Sequence, residues 1–548
     1  MLSLLSRNRT HDRLQFSGLK DASKRVPYIS NFNTPLMRYS SFRADSTNLD
    51  RFTRGVSFFG NSGSGKTTAA ANLALTLCRM GAGGIVMVAK PGHYDEWAAY
   101  AEMTGRSNQL IRFSPDSGLR FNFLDYAVAS SMARGQGMIT SDIVTLLMKV
   151  CEAAQRGNEL RGQAPEQPFW RLAPRQLLDH TIDALWAAYG TLRLTDIVNF
   201  ILTVPCDEIE LNDQTFRDRS FHLQTMQKAA ISPTHRMSDH DFDVVMNYFR
   251  FDFGRLDART RTNITATMTS QMAPLMKSMM HRVFSTDTTI VPDLTFTAGS
   301  IIVLDFPIKY GEANLIAQSI FRFLFQQCVE ARNTRLYDRP VFLWSDENHY
   351  FSTPYDMLFQ TTARSAKCVT VTLSQSYTNY YATMGGSNPR DATAAYLNNF
   401  NTRFFLGNLC EATNQAAATM AGKSIHMRKS FSQTFNSSNS HTTGQNTGLS
   451  FQTGGNWSVS DSGKSSGGSS GRGYSEGDSI SDSLSESWGR SFSAQETMDF
   501  DIQPSEFSAL RSGPDNGWRA DALLIEGGRR FKASGKHYLT TSLPMVLV

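Results

Sequence analysis

The sequence predicts an α/β fold, a predominantly parallel β-sheet with an all-helical insertion. Three observations predict it. Apolar strand-like runs alternate with segments of helical period near the start of the chain, the middle of the chain carries helical spacing alone, and strand-like runs then return. With 548 residues the chain is too long for one compact domain, so we expect several segments.

The strand-like runs are short, apolar and bounded by glycine or polar residues. Before the insertion they are "GVSFFG", "GAGGIVMVAK" and "NQLIRFS", and the helices between them run to about Met80 and over "DEWAAYAEMTG". After it come "GSIIVLDFP", "PVFLWSDENHYF", "AKCVTVTLSQS" and "TRFFLGNL", with helices at "ANLIAQSIFRFLFQQCVEARN" and "EATNQAAATMAG". This β-α-β order indicates parallel strands with helices on the faces of the sheet.

We expect six segments. These are an N-terminal lead-in (1–50), the first part of a nucleotide-binding domain (51–130), an all-α insertion domain (131–290), the second part of the nucleotide-binding domain (291–429), a Ser/Gly-rich segment (430–493) and the C-terminal part (494–548). One alternative is that the insertion helices only cover the sheet. The Ser/Gly-rich segment is compatible with disorder by composition, and with long β-hairpins because its apolar residues alternate with polar ones.

The stretch "FFGNSGSGKTT" matches the phosphate-binding loop pattern G-x-x-x-x-G-K-[ST], with a strand before it and a helix after it. Its glycines let the backbone wrap an anion, and the helix start adds free N–H groups and a positive dipole end. Lysine in this pattern reaches the β- and γ-phosphates, and the next hydroxyl holds Mg²⁺. The nucleotide-binding residues predicted are Gly60, Asn61, Ser62, Gly63, Ser64, Gly65, Lys66, Thr67 and Thr68. ATP and Mg²⁺ are therefore the expected cofactors.

The run "VFLWSDE" ends an apolar strand in two acids, Asp346 and Glu347. Beside a phosphate-binding loop, the first acid suits Mg²⁺, together with Thr67, and the second suits polarisation of the attacking water. Arg364 follows one helix later, where an arginine in a ring ATPase can reach a neighbour's γ-phosphate. Gln375 ends the next strand, at the edge where parallel sheets bind ligands, and suits a γ-phosphate sensor. An ordinary surface arginine and a polar strand end are the alternatives for the last two residues.

Composition limits the function classes further. The net charge of +5 permits a nucleic-acid partner without requiring one. The six cysteines are scattered, without a Cys-x-x-Cys pair, which favours free thiols in a reducing compartment. We expect no transmembrane segment and no signal peptide, because no apolar run is long enough. A cytoplasmic protein is expected, either free or held at the inner membrane through partners.

Eight stretches, in the same order, are similar to the VirD4/TraG-type coupling proteins of conjugative type IV secretion, members of the FtsK/HerA class of P-loop ATPases. They are "FFGNSGSGKT", "VMVAKPGHYDEW", "LIRFSPDSGLRFNFLDY", "PFWRLAPRQLL", "IIVLDFP", "FLWSDENHYF", "TTARSAKCVTVTLSQSYTNY" and "LNNFNTRFFLGN". The resemblance covers residues 50 to 540. It implies a RecA-like core, an α-helical insertion, a hexameric ring and a central channel for DNA. It also implies catalytic roles for Glu347, Arg364 and Gln375, with a relaxase or secretion-channel proteins as candidate partners.

Two features depart from this family. Its second strand usually ends in Asp-Pro-Lys, whereas this chain has Ala89-Lys90-Pro91. Membrane-bound members carry N-terminal transmembrane helices, and none is expected here. The hypothesis is a soluble, hexameric, ATP-driven DNA translocase. A VirB4-like protein-export ATPase, a HerA-type DNA-processing helicase and a scaffold that binds nucleotide without turnover remain the alternatives.

Overall fold

The computed structural model describes residues 27–135, 138–159, 169–232, 237–384, 388–443, 451–460, 463–471 and 480–548. The first 26 residues of the predicted lead-in, and three short stretches of the Ser/Gly-rich segment, lie outside these ranges. The described chain up to Asn414, with Ser505–Val548, forms one compact unit, and Gln415–Pro504 forms a second.

Sixteen strands are assigned within the described residues. They are Pro35–Arg38 (β1), Ser46–Asn48 (β2), Val56–Phe59 (β3), Gly83–Met87 (β4), Leu110–Phe113 (β5), Ile301–Leu304 (β6), Val341–Ser345 (β7), Cys368–Ser374 (β8), Thr402–Phe405 (β9), Lys423–Thr443 (β10), Phe451–Ser460 (β11), Gly463–Gly471 (β12), Ile480–Phe500 (β13), Ser512–Gly513 (β14), Arg519–Glu526 (β15) and Tyr538–Pro544 (β16).

Nineteen α-helices are assigned in the same ranges. They are Leu49–Phe52 (α1), Lys66–Arg79 (α2), His93–Met103 (α3), Phe123–Ala133 (α4), Thr140–Glu159 (α5), Phe169–Tyr189 (α6), Leu194–Leu202 (α7), Glu208–Asn212 (α8), Gln214–Arg219 (α9), Phe221–Ile231 (α10), Asp239–Asn247 (α11), Ala258–Met276 (α12), Ser278–Phe284 (α13), Leu294–Thr297 (α14), Glu312–Ala331 (α15), Pro354–Thr362 (α16), Tyr377–Met384 (α17), Pro389–Leu397 (α18) and Glu411–Ala421 (α19).

The central sheet of the first unit has ten strands. Its order is β14-β15-β9-β3-β8-β7-β4-β6-β5, and β16 pairs with β15. The seven strands from β9 to β5 run parallel, and β15 joins β9 in the antiparallel sense. The predicted α/β fold with a predominantly parallel sheet is therefore confirmed. Six of the seven parallel strands are buried over their whole length, as expected when helices cover both faces, and only the edge strand β5 is partly exposed.

Alternate residues of the parallel strands enter two separate hydrophobic cores. Ile85 and Met87 of β4 face the first core, whereas Val86 faces the second. Helix α2 packs in the second core through its alanine and leucine residues. The first core continues without a break into the helices between α4 and α14. The helical stretch predicted as an insertion is thus helical and packs on one face of the sheet, and its status as a separate domain stays a prediction.

The second unit contains a four-stranded antiparallel sheet in the order β12-β11-β10-β13. Strand β10 pairs with β13 over their whole lengths, from Lys423↔Phe500 to Thr443↔Ile480. The described part of the Ser/Gly-rich segment is therefore β-structure, the second of the two alternatives. The strands begin and end outside the predicted limits of 430 and 493.

Within the described residues, no helix is long and apolar enough to cross a membrane. The same part of the chain contains no group of three metal-ligating side chains.

Candidate active site

The glycine-rich loop joins β3 to the start of α2. Gly63 and Gly65 have φ values of +81° and +77°, in the left-handed region that only glycine adopts readily, and Gly65 is the N-cap of α2. A Cβ atom on Gly60 would lie 2.4 Å from Ser64 Oγ, so a larger residue there would force the Ser64 hydroxyl to move. The loop closes when the Ser64 N–H donates to the Asn61 carbonyl at 3.2 Å. This is the curled backbone that an anion-binding loop requires.

Two neighbouring strands hold the loop at the carboxyl edge of the sheet. The N–H of Gly60 donates to the carbonyl of Ser374 at the end of β8, and the N–H of Asn61 donates to the carbonyl of Gly407 beyond β9. Thr68 donates from its hydroxyl to the Gly65 carbonyl at 3.0 Å, and Thr67 lies half-buried in the first helical turn. Ser62 is exposed at the tip of the loop.

The two acids lie directly after β7, which is separated from β3 by β8 alone. Asp346 and Glu347 are 5% and 4% exposed, respectively. Glu347 has a φ of +46°, and its N–H donates to Asp346 Oδ1 at 2.9 Å. A left-handed conformation at a glutamate costs energy and is found mainly where a function needs the side chain in one place.

Four side chains surround the Glu347 carboxylate. Gln375 donates to Oε1 at 3.1 Å, and the Nζ atoms of Lys66 and Lys90 lie 3.9 and 3.5 Å from the same oxygen. His349 Nδ1 lies 3.6 Å from the other oxygen, Oε2, which accepts no hydrogen bond from the described residues. One carboxylate oxygen is therefore held by Gln375, and the other is buried without a hydrogen-bond donor among the described residues.

Electrostatics keep this carboxylate ionised. Burial opposes its charge, but Lys66, the hydrogen bond from Gln375, His349 and Lys90 together hold the pKa of Glu347 below its ordinary value. Lys66 is 7% exposed, and burial lowers its pKa even though Glu347 and Asp346 favour its charged form. Burial also lowers the pKa of His349 to about 4, so its imidazole is neutral near pH 7.

The structure brings Lys66, Glu347 and Gln375 together, but it places Arg364 elsewhere. Arg364 lies just before β8 begins, whereas the glycine-rich loop follows the end of the parallel neighbour β3. A seven-residue strand spans about 20 Å, so Arg364 lies at the opposite edge of the sheet from its own loop. There its exposed guanidinium pairs with Asp50 at 2.8 Å.

Sequence reasoning missed three residues of the site, namely Lys90, His93 and His349. Lys90 and His93 follow β4, which pairs with β7 up to Met87↔Ser345, so the ends of both strands meet. His93 Nε2 lies 3.3 Å from Asp346 Oδ2. The order of the sheet strands would have revealed both residues, and the position of His349 two residues after Glu347 was visible in the sequence.

A cleft of about 440 Å³ opens beside Glu347. Its lining includes Glu347, Gln375 and Tyr350, together with Lys90, Lys309 and Gly311. The cleft thus places two lysine side chains in the same opening as Glu347, a charge arrangement that suits a phosphate ligand.

Comparison with solved structures shows the fold. The bacterial conjugative coupling protein TrwB in its unbound form is 12% identical, with a TM-score of 0.52 over 93% of this chain and 89% of that chain. TrwB in complex with the non-hydrolysable ATP analogue ADPNP is 11% identical, with a TM-score of 0.52 over 95% and 96% of the two chains. VirB4 of Thermoanaerobacter pseudethanolicus is 11% identical, with a TM-score of 0.39 over 72% and 89%.

No family profile matches the sequence, and no curated protein sequence matches it. The chain thus has the RecA-like fold of TrwB at low sequence identity.

Proposed function

We propose that this chain is a P-loop ATPase that uses ATP hydrolysis in a hexameric ring to move DNA, as a conjugative coupling protein. The observation that carries the proposal is the convergence of Lys66, Glu347 and Gln375 at one edge of a parallel sheet. A lysine for the phosphates, an ionised acid to act as base and a polar sensor are the groups that phosphoryl transfer to water needs. The likeness to TrwB, solved with an ATP analogue and with ADP and Mg²⁺, supports ATP and Mg²⁺ as cofactors.

The residues present fit that cofactor pair. The glycine-rich loop curls at the start of α2, and Glu347, which has a buried oxygen without a hydrogen-bond donor among the described residues, lines a cleft together with Lys90 and Lys309. Thr67 and Asp346 would hold Mg²⁺, which supplies positive charge to the phosphates when it is bound. Lys66 would bind the β- and γ-phosphates, and Lys90 adds a second cation beside them.

Glu347 would take the proton of the attacking water, and Gln375, which donates to Oε1, would hold the carboxylate and report on the γ-phosphate. Binding of the anionic phosphates draws Lys66 and Lys90 away from Glu347, which strengthens the carboxylate as a base.

The ring is supported by the location of Arg364. A residue at the opposite edge of the sheet cannot serve its own loop, but it can serve the loop of an adjacent subunit. DNA as the moved substrate, and conjugation proteins as partners, are proposed from the likeness to a coupling protein.

The proposed ATPase activity is tested by comparing the parental chain with Lys66→Ala. Nucleotide binding and steady-state ATP hydrolysis are measured for both proteins. The parent should bind a fluorescent ATP analogue in the presence of Mg²⁺ and release phosphate. Lys66→Ala should lose binding or turnover. A parent that binds no nucleotide would contradict the proposal, and one that binds nucleotide without turnover would favour the scaffold alternative.

A further inference from the structure

His93 begins helix α3 immediately after the turn Lys90-Pro91-Gly92 that leaves β4. Its side chain is 12% exposed, and its Nε2 atom lies 3.3 Å from Asp346 Oδ2. The two atoms are in polar contact, at a separation just beyond the range of about 2.7–3.2 Å for an N–H···O hydrogen bond. The proposed reaction gives this contact no role.

With His93, both oxygens of the Asp346 carboxylate have a neighbour in the protein. Oδ1 accepts the N–H of Glu347 at 2.9 Å, and Oδ2 faces His93. A carboxylate offers about four lone-pair sites, so two contacts still leave acceptor capacity for a cation. Asp346 is therefore fixed in orientation without being saturated.

The position of His93 is itself fixed to the strand that carries Asp346. Trp97, one turn further along α3, stacks on Phe342 with ring centroids 5.5 Å apart and meets Trp344 edge-on at 5.4 Å. Both partners belong to β7, the strand that ends at Asp346. The helix that presents His93 is thus packed directly on the strand whose acid His93 contacts.

Glu96 completes the cluster from the next turn of the same helix. Positions i and i+3 lie on one face of a helix, so Glu96 lies on the face of α3 that carries His93. It acts electrostatically on both His93 and Asp346. Carboxylates that ligate metals are commonly oriented by polar contacts from residues outside the ligand set, as His93 contacts Asp346 here.

Resting on the proposed function, we propose that His93 is a positioning residue that orients Asp346 to receive the divalent cation of the bound nucleotide. Loss of such an outer contact typically costs about 10- to 100-fold in metal affinity or activity. His93 would not touch the nucleotide, so binding of nucleotide without the cation should not depend on it.

The test measures binding of a fluorescent ADP analogue to the full chain, in EDTA and across a Mg²⁺ titration. His93→Leu removes the donor and retains bulk, whereas His93→Gln retains an N–H donor at similar reach. His240→Leu, a change at an exposed histidine of α11, is the matched control. Melting temperatures verify that each variant is folded.

His93→Leu should raise the Mg²⁺ concentration for half-maximal tight binding by about tenfold. Affinity in EDTA should stay within about twofold, and His93→Gln and His240→Leu should remain near the parent. If His93→Leu does not fold, His93→Asn takes its place, because its shorter amide should not reach Asp346.

If His93→Leu reaches half-maximal tight binding at the same Mg²⁺ concentration as the parent, the proposal is overturned. The proposal would also be overturned if His93→Leu lost as much nucleotide affinity in EDTA as in Mg²⁺ and His93→Gln did not restore it, because that pattern marks a packing residue. Absence of Mg²⁺-dependent nucleotide binding in the parent would instead overturn the proposed function, and this inference with it.

Discussion

Replacing Glu347 by glutamine separates nucleotide binding from hydrolysis. The substitution preserves the size of a side chain that is 4% exposed, and it removes the carboxylate that would accept the proton of water. Loss of a general base costs about 10²–10⁴ in rate. We therefore expect the turnover number to fall by at least a hundredfold.

The structure also predicts the direction of the change in affinity. Lys66 and Lys90 both lie within 4 Å of Glu347 Oε1, so phosphates must compete with this carboxylate for them. Unit charges about 4 Å apart interact by about 4 kcal/mol at an effective dielectric constant of 20, before desolvation and solvent exposure of Lys90 are counted. Even a third of that interaction energy corresponds to about a tenfold change in the affinity for ATP. Glu347→Gln should thus bind ATP more tightly than the parent.

Phosphate release and equilibrium binding of a fluorescent ATP analogue provide the two measurements. Glu102→Gln, which changes an exposed glutamate of α3, should match the parent in both. Hydrolysis by Glu347→Gln at the parental rate would refute the role of Glu347 as the base. Weaker binding would refute the competition between the carboxylate and the phosphates.

Three further predictions follow from the structure. Arg364→Ala and Lys66→Ala should each lack ATPase activity alone but recover part of it in mixed rings, because some interfaces then combine an intact loop with an intact arginine. If verified mixed rings recover no ATPase activity, Arg364 does not act on the adjacent subunit. Replacing residues 440–485 by a short Gly-Ser linker should leave basal ATPase activity within a few-fold of the parent while weakening DNA transfer or partner binding. The reason is that this segment lies in the second compact unit and its acids outnumber its cations. Loss of ATPase activity in a variant that still folds would assign residues 440–485 to the motor. Burial lowers the pKa of His222 to about 3, so unfolding takes up a proton below the unfolded pKa of about 6.5. His222→Leu should therefore reduce the loss of stability between pH 6.5 and 4.5 by about 2 kcal/mol in urea unfolding, and an unchanged pH dependence would contradict the burial of a neutral His222.

The parts of the site that the sequence revealed are those encoded by adjacent residues. The glycine-rich loop combines a residue pattern with a strand before it and a helix after it, and Asp346 and Glu347 end an apolar run. Gln375 was placed by a general rule, since ligands bind at the carboxyl ends of parallel strands. The structure brings Gln375 to Glu347 at that edge.

The contributions of Lys90 and His93 could not be read from the sequence because they depend on strand order. Strands β4 and β7 are adjacent in the sheet but are separated in the chain by the whole helical stretch. Local periodicity predicts each strand and does not say which strands pair. The location of Arg364, at the edge of the sheet opposite to the glycine-rich loop, likewise depends on the direction of β8 and could not be read from the sequence.

The Ser/Gly-rich segment shows a different limit. Its composition suggested disorder, because it cannot form a packed core of its own. In the structure, β10 and β13 are paired through a continuous backbone ladder, and Phe435 lies opposite Trp488 with ring centroids 4.5 Å apart. The alternation of apolar and polar residues was the informative feature there, and overall composition was not.

The most direct test of an ATPase that moves DNA is its rate of ATP hydrolysis without DNA, with single-stranded DNA and with double-stranded DNA. Each rate is measured at low and at physiological salt. We expect one form of DNA to stimulate ATP hydrolysis several-fold. The stimulation should weaken as salt rises, because contacts to phosphates are electrostatic. Robust hydrolysis with no response to either DNA at low salt would contradict a DNA translocase and favour a protein-export ATPase.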